Sequence, residues 1–134
     1  MLEMIQRIQE AEGFAALGAA SKEQIADAEI ELLLTFASDY KEYLNAFGAA
    51  TFCGKELTGI CSSERLNVIA VTQRARNYYK GFPNDAYVVE ELLIDHFLVI
   101  QKADGSVFSY GPNESEELIA TSLSLYLFPQ ASEN

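Results

Sequence analysis

Tyr40, Tyr43, Leu44 and Phe47 fall at i, i+3, i+4 and i+7, and Gly48 follows at once. That stripe commits the segment from Ser38 to Phe47 to a helix with one apolar face, which needs a second layer to cover it. Gly48 stands where a C′ residue ends a helix. Ser38 is placed as its N-cap, and Asp39 complements the positive end of its dipole. The four stripe residues are expected in the core, with at most Tyr43 partly exposed.

Local signals extend this helix into a series. Leu2, Ile5 and Ile8 predict a first helix closed by Gly13, and the small apolar residues from Phe14 to Ala20 predict a connector packed on the body. Ser21-Lys-Glu-Gln24 has the form of a capping box. A helix is predicted from there through about Leu33, with Ile25, Ala28 and Leu32 facing inward. From Thr51 to Ser63 no helical period occurs, so short strands or an irregular loop are expected, with Phe52 and Leu57–Ile60 buried. Val68, Val71, Ala75 and Tyr78/Tyr79 mark a third main helix with Arg74 and Arg76 on its outer face, ended at Pro83.

The remainder reads as sheet and then helix. Ala86–Glu90 and His96–Gln101 are rich in strand formers, and Ser106–Tyr110 follows across Asp104-Gly105, a strong hairpin signal. A two-residue turn there would put Phe97, Val99, Phe108 and Tyr110 on one face. Gly111-Pro112-Asn113 makes the next turn. Asn113 is then predicted to cap a closing helix with Leu118, Ile119, Leu123 and Tyr126 inside, ended at Phe128-Pro129. Helices first, a meander later and a closing helix predict α+β: an antiparallel sheet packed with N-terminal helices and a C-terminal helix.

Composition narrows the function classes. The chain has 134 residues, 49% of them apolar, with 20 Asp+Glu against 9 Lys+Arg and a net charge of −11. Residues 1–47 carry nine acids and three bases, residues 48–80 two acids and five bases, and residues 81–134 nine acids and one base, for a net −8 in that last block. So acidic a chain is poorly suited to phosphate backbones, and no direct nucleic-acid binding is expected. No apolar run approaches the ~20 residues that span a bilayer. The opening Met1-Leu2-Glu3-Met4 lacks a basic n-region before an apolar stretch, so no secretory leader is expected. Two cysteines, Cys53 and Cys61, make no disulfide framework, and a cytoplasmic location is expected.

Motifs for chemistry are missing in specific ways. His96 is the single histidine, which rules out a multi-histidine zinc site, and it is expected to be a partly buried structural residue opening a strand. Asp95 and His96 are neighbours, which a strand points to opposite faces, so they make a poor catalytic pair. Cys53 and Cys61 lack the Cys-x2–4-Cys spacing of a zinc site, and both are expected as buried small hydrophobes. Gly54-Lys55 lacks the Walker pattern, and no Gly-x-Ser-x-Gly elbow occurs. The carboxylates Glu90, Glu91 and Asp95, and Glu114, Glu116 and Glu117, lack the ligand alternation of a calcium loop and are expected to form solvated faces. No cofactor, metal or catalytic residue is expected.

The order of these elements, and several residues in them, resemble the SUKH superfamily, which includes fungal cell-wall-assembly regulators and many small bacterial proteins. The resemblance rests on Ser21-Lys-Glu-Gln-Ile-Ala-Asp-Ala-Glu29, on Phe36 to Gly48 with its Tyr-x-x-Tyr-Leu-x-x-x-Gly run, and on Ala86-Tyr-Val-Val. It continues at His96-Phe-Leu-Val-Ile, at Asp104-Gly105-Ser-Val-Phe and in the closing helix with Ser122, Leu123 and Leu127. Ala49 stands where a second Gly is usual, and Ala37 where Pro is common. No internal repeat, linker or low-complexity tract occurs, so one domain over residues 1–134 is expected, and the resemblance covers a core of about 21–128. It implies a non-catalytic bacterial immunity protein that binds and neutralises a cognate protein toxin. A basic nuclease is a toxin that an acidic inhibitor would suit, and Glu90, Glu91, Asp95 and Asp104 are the residues expected to meet its Lys and Arg. Two alternatives stay open: a regulatory or scaffolding module like the fungal relatives, and an enzyme acting on a small ligand in a polar pocket.

Overall fold

The computed structural model describes residues 2–92 and 96–129. Its elements in chain order are α1 (Leu2–Gln9), β1 (Ala15–Ala16), α2 (Lys22–Leu32), α3 (Ser38–Phe47), β2 (Ala50–Phe52), β3 (Lys55–Leu57) and α4 (Val68–Tyr78). Then come β4 (Ala86–Leu92), β5 (Phe97–Lys102), β6 (Val107–Tyr110), β7 (Glu116–Ala120) and α5 (Leu123–Leu127). Strands β4-β5-β6-β7 form an antiparallel meander, and β1-β2-β3 a small three-stranded sheet. The fold is α+β, with helices before the meander and one after it.

Where side-chain chemistry is local, it sets the element ends. Ser21 Oγ accepts from Gln24 N at 3.1 Å while Ser21 N donates to Gln24 Oε1 at 2.9 Å, the full capping box, and Ile25, Ala28 and Leu32 are buried. Asn67 caps α4 through the amides of Ile69 and Ala70. α3 departs from expectation: its N-cap is Ala37, with no side-chain capping bond, and Ser38 is exposed. Tyr87 Oη takes the Ala37 amide at 3.0 Å, so a strand of the sheet does the work expected of Ser38.

Two layers of core lie on either side of the meander. Tyr40, Tyr43, Leu44 and Phe47 are all buried, Tyr43 completely, against Met4, Ile8, Leu32, Phe36, Tyr87, Val89, Val99 and Val107. The other face packs Val88, Leu98, Ile100 and Tyr110 on Val71, Ala75 and Phe82 of α4 and the loop after it. Truncating Leu44 to Ala should cost about 2–5 kcal/mol by opening a cavity at the centre of the first layer. Urea unfolding of the variant checks this, and a parent-like midpoint would contradict the packing.

The β5–β6 turn has three residues, Ala103-Asp104-Gly105, not two. Lys102 N donates to Ser106 O, Gly105 N donates to Lys102 O, and Gly105 has φ +98°. Val99 therefore opposes Ser109, and Leu98 opposes Tyr110. That one-residue slip separates the four residues expected together, because side chains alternate with a period of two. Phe108 and Tyr110 share a face with Leu98 and Ile100, and Val99 faces the other way with Gln101 and Val107.

The predicted closing helix is also corrected. Residues 116–120 pair with β6 as a fourth strand, and only Leu123–Leu127 is helical, capped by Ser122 Oγ on Leu125 N at 3.1 Å. Glu114, not a helix, follows Asn113 with φ +62°, and Leu118 and Ile119 are exposed. A short apolar run fits either element, and here the unpaired side of β6 claimed it. The connector also gains structure, since Ala15 and Ala16 pair with Thr51 and Ala50.

Candidate functional site

β4 carries the two expected partner-binding carboxylates, and a bulge decides where each one points. Val88 opposes Ile100 but Glu90 opposes Val99, leaving Val89 as the extra residue. Simple alternation would put Glu90 on the face of Val88. The bulge reverses it onto the face of Val99, where it is buried. Tyr126 of α5 donates its hydroxyl to Glu90 Oε1 at 2.6 Å, and Lys55 Nζ lies 3.7 Å from the same oxygen. Lys55 also sits over the Tyr126 ring, 5.0 Å from its centroid. Burial, with Glu90 beside it, raises the Tyr126 phenol above its ordinary range. Glu90 thus ties the sheet to α5 and β3 and presents little to solvent, correcting its expected place on a solvated face.

Glu91 is exposed and opposes Leu98. With Leu92 it forms a ridge between two clefts. One is a groove of about 590 Å³ between α4 and the end of the β4–β5 hairpin, with Arg74, Tyr78, Tyr79, His96 and Phe97 along it. The other, about 550 Å³, has Lys55, Glu56 and Glu90 in its wall. Arg65 bonds Glu56 through both guanidinium nitrogens, and this holds the Glu56 carboxyl below the usual range. Cys53 and Cys61 line neither cleft.

Asp104 sits at the other end of the hairpin. Lys102 opposes Ala86 while Leu98 opposes Glu91, so Asp104 and Glu91 are separated by four strand steps and half of the β5–β6 turn, roughly 15–20 Å. Asp104 is exposed and accepts from the Ser106 hydroxyl and, at 3.0 Å, from the Ser106 amide. These two bonds, the hydroxyl first, lower its pKa. A depressed carboxylate favours the fold above its unfolded pKa, and that contribution is lost as pH falls through the folded value. Ser106→Ala should therefore raise the Asp104 titration toward an ordinary aspartate, read by carboxyl NMR against pH. An unchanged titration would contradict the assigned cause. Asp95 lies outside the described residues.

His96 and Cys53 differ from expectation. His96 is exposed with φ +57°, immediately before β5. Cys53 is exposed with φ +51° in the two-residue turn between β2 and β3, where Gly54 also has positive φ, so its backbone role outweighs any packing role. Cys61 is partly buried. Arg76 is only half on the outer face: its Nη2 donates to Leu32 O at 2.8 Å and Asn84 O at 3.2 Å, closing the C-terminus of α2.

The sequence reading missed the groove, whose exposed Tyr78, Leu92 and Phe97 looked like ordinary helix and strand residues. It also missed a buried polar network. Tyr87 Oη donates to Gln101 Oε1 at 2.6 Å, Gln101 Nε2 donates to Asp39 Oδ1 at 3.1 Å and to Gly105 O at 3.0 Å, and Leu123 N donates to Asp39 Oδ2 at 2.8 Å. The signal available was a Gln inside an apolar strand and an Asp beside an aromatic stripe.

The profile of the family described as SUKH_5: SMI1-KNR4 cell-wall matches residues 1–128. No curated protein matches the chain. Among solved structures, a protein from Pseudomonas syringae pv. tomato superposes with a TM-score of 0.68 at 15% identity, covering 92% of each chain. At that identity the likeness is one of fold.

Proposed function

The chain belongs to the SUKH_5 family of SMI1-KNR4 cell-wall proteins, and from that membership we propose that it is a non-catalytic immunity protein, which binds a cognate protein toxin and neutralises it. Proteins of this kind include toxin-immunity proteins. The observation that carries the reading is charge: residues 81–134 bear nine acids and one base, and most of these acids lie in or beside the meander. A surface of one sign steers a partner of the other and speeds association. A basic nuclease is the toxin class that fits, since its cleft must hold phosphates. Glu91 and Asp104 offer exposed carboxylates at the two ends of the hairpin, Glu90 holds the ridge in place, and Asp95 joins them on sequence grounds.

Co-expression with a candidate toxin domain, sought first in the neighbouring reading frames, tests the reading, scored by survival and then by calorimetry on the purified pair. Rescue and a one-to-one complex are expected. Affinity should fall as salt rises, and the double variant Glu91→Lys/Asp104→Lys should bind about tenfold more weakly or worse. Neither rescue nor binding would move the assignment to a regulatory protein-binding module.

A further inference from the structure

The two edges of the meander are finished differently. At β4, Thr58 N donates to Val89 O at 2.9 Å, Thr58 Oγ1 donates to Val88 O at 2.7 Å, and Thr72 Oγ1 accepts from Val88 N at 3.1 Å. That edge is closed by threonines from two flanking segments. At the opposite side, β7 pairs with β6 alone among the described residues. Leu118 is 54% and Ile119 44% exposed on it, and Glu114, Glu116 and Glu117 are exposed beside them. A row of main-chain donors and acceptors next to exposed apolar side chains is a template for a further strand.

We propose that the β7 edge is a docking strand, on which a basic partner lays an extended segment as a fifth strand of the β4–β7 sheet. Charge selects this occupant. A second copy would bring another net −11 and a second set of edge glutamates to the same line, and like charges across strands oppose pairing. A bulge at Ile119 limits the straight stretch to Glu116–Leu118. The partner segment is therefore short, with an apolar residue opposite Leu118 and Lys or Arg opposite Glu116 and Glu117. Lys102 already meets Glu116 at 3.0 Å, a contact that a partner cation would share. This inference rests on the immunity reading only for the nature of the partner.

The test uses the full chain and a synthetic peptide, acetyl-Thr-Thr-Val-Lys-Lys-Thr-Lys-amide, followed by NMR shifts and hydrogen exchange. Binding should slow exchange of the outward amides of β7. Two versions of the peptide, N-methylated on one or the other set of alternate residues, separate pairing from charge: one set should abolish binding and the other should not. A Glu-for-Lys peptide should not bind, and Glu117→Lys should weaken the parent peptide about fivefold or more. No binding, or equal binding by both methylated peptides, overturns the proposal. So does a dimer in sedimentation that protects the β7 amides, since the edge then belongs to a second copy. Peptide binding without toxin rescue would keep the docking strand and remove the immunity reading; rescue without peptide binding would do the reverse.

Discussion

Gly59→Ala should unfold the protein or lower its stability by more than about 3 kcal/mol, because three backbone segments meet there with no room for a methyl group. A Cβ at Gly59 would lie 1.8 Å from Gly48 O and 2.8 Å from Ala49 Cα. Gly48 O is itself held, accepting from Ile60 N at 2.9 Å, while Gly59 N donates to Leu66 O and Gly59 O accepts from Val68 N. The obstruction is main chain on both sides, so no side chain can turn away to relieve it. Gly48 repeats the problem one layer further, with φ +74° and a Cβ that would come 1.9 Å from Gly18 O. Gly13→Ala is the control: its φ is also positive but nothing stands within 4 Å, so only local strain of about 1 kcal/mol is expected. Thermal unfolding of the three variants should place Gly48→Ala and Gly59→Ala at least about 10 °C below Gly13→Ala. Equal midpoints would show that the backbone crossing is looser than described.

Asp39→Ala is the second large effect. Asp39 is buried, 3% exposed, and its two oxygens accept from Gln101 Nε2 and from Leu123 N, the first residue of α5. Hydrogen bonds to a charged group contribute about 1.5–3 kcal/mol each, and the donors left behind would be buried without partners. A loss of about 3–5 kcal/mol is expected in urea unfolding. The loss should also be directional: α5 amides should exchange before those of β5, since Leu123 loses its anchor while β5 keeps its ladder. A parent-like midpoint with protected α5 amides would rule out this role for the carboxylate.

Elements that one stretch of sequence stabilises on its own were legible. The Ser21–Gln24 box, the Tyr40–Phe47 stripe and the Val68–Tyr78 helix are written in patterns that span only a few residues, and each lies where its pattern placed it, although Tyr87 of the sheet supplies the bond at the start of α3. The strands β4, β5 and β6 also lie where their strand-forming residues placed them; what a partner strand had to decide, the fourth strand and the registers, was not legible. Leu118 and Ile119 fit an amphipathic helix as well as a strand, and only the open side of β6 settled which it was. Asp104-Gly105 announced a hairpin, but the loop length was set where Gln101 reaches Gly105 O and Asp39, and the register followed.

The acidic residues divide the same way. Their number and their concentration after residue 80 are properties of the sequence, and so is the family, since core and turn residues recur at spacings that local structure enforces. Which carboxylates face solvent was a tertiary decision. One extra residue at Val89 turned Glu90 inward to Tyr126 and Lys55 and left Glu91 outside. The pairing of β6 with β7 set the exposed strand edge at the acidic end of the sheet. Strand alternation carries no memory of a bulge or of a missing neighbour, because both are defined by the partner strand and not by the strand itself.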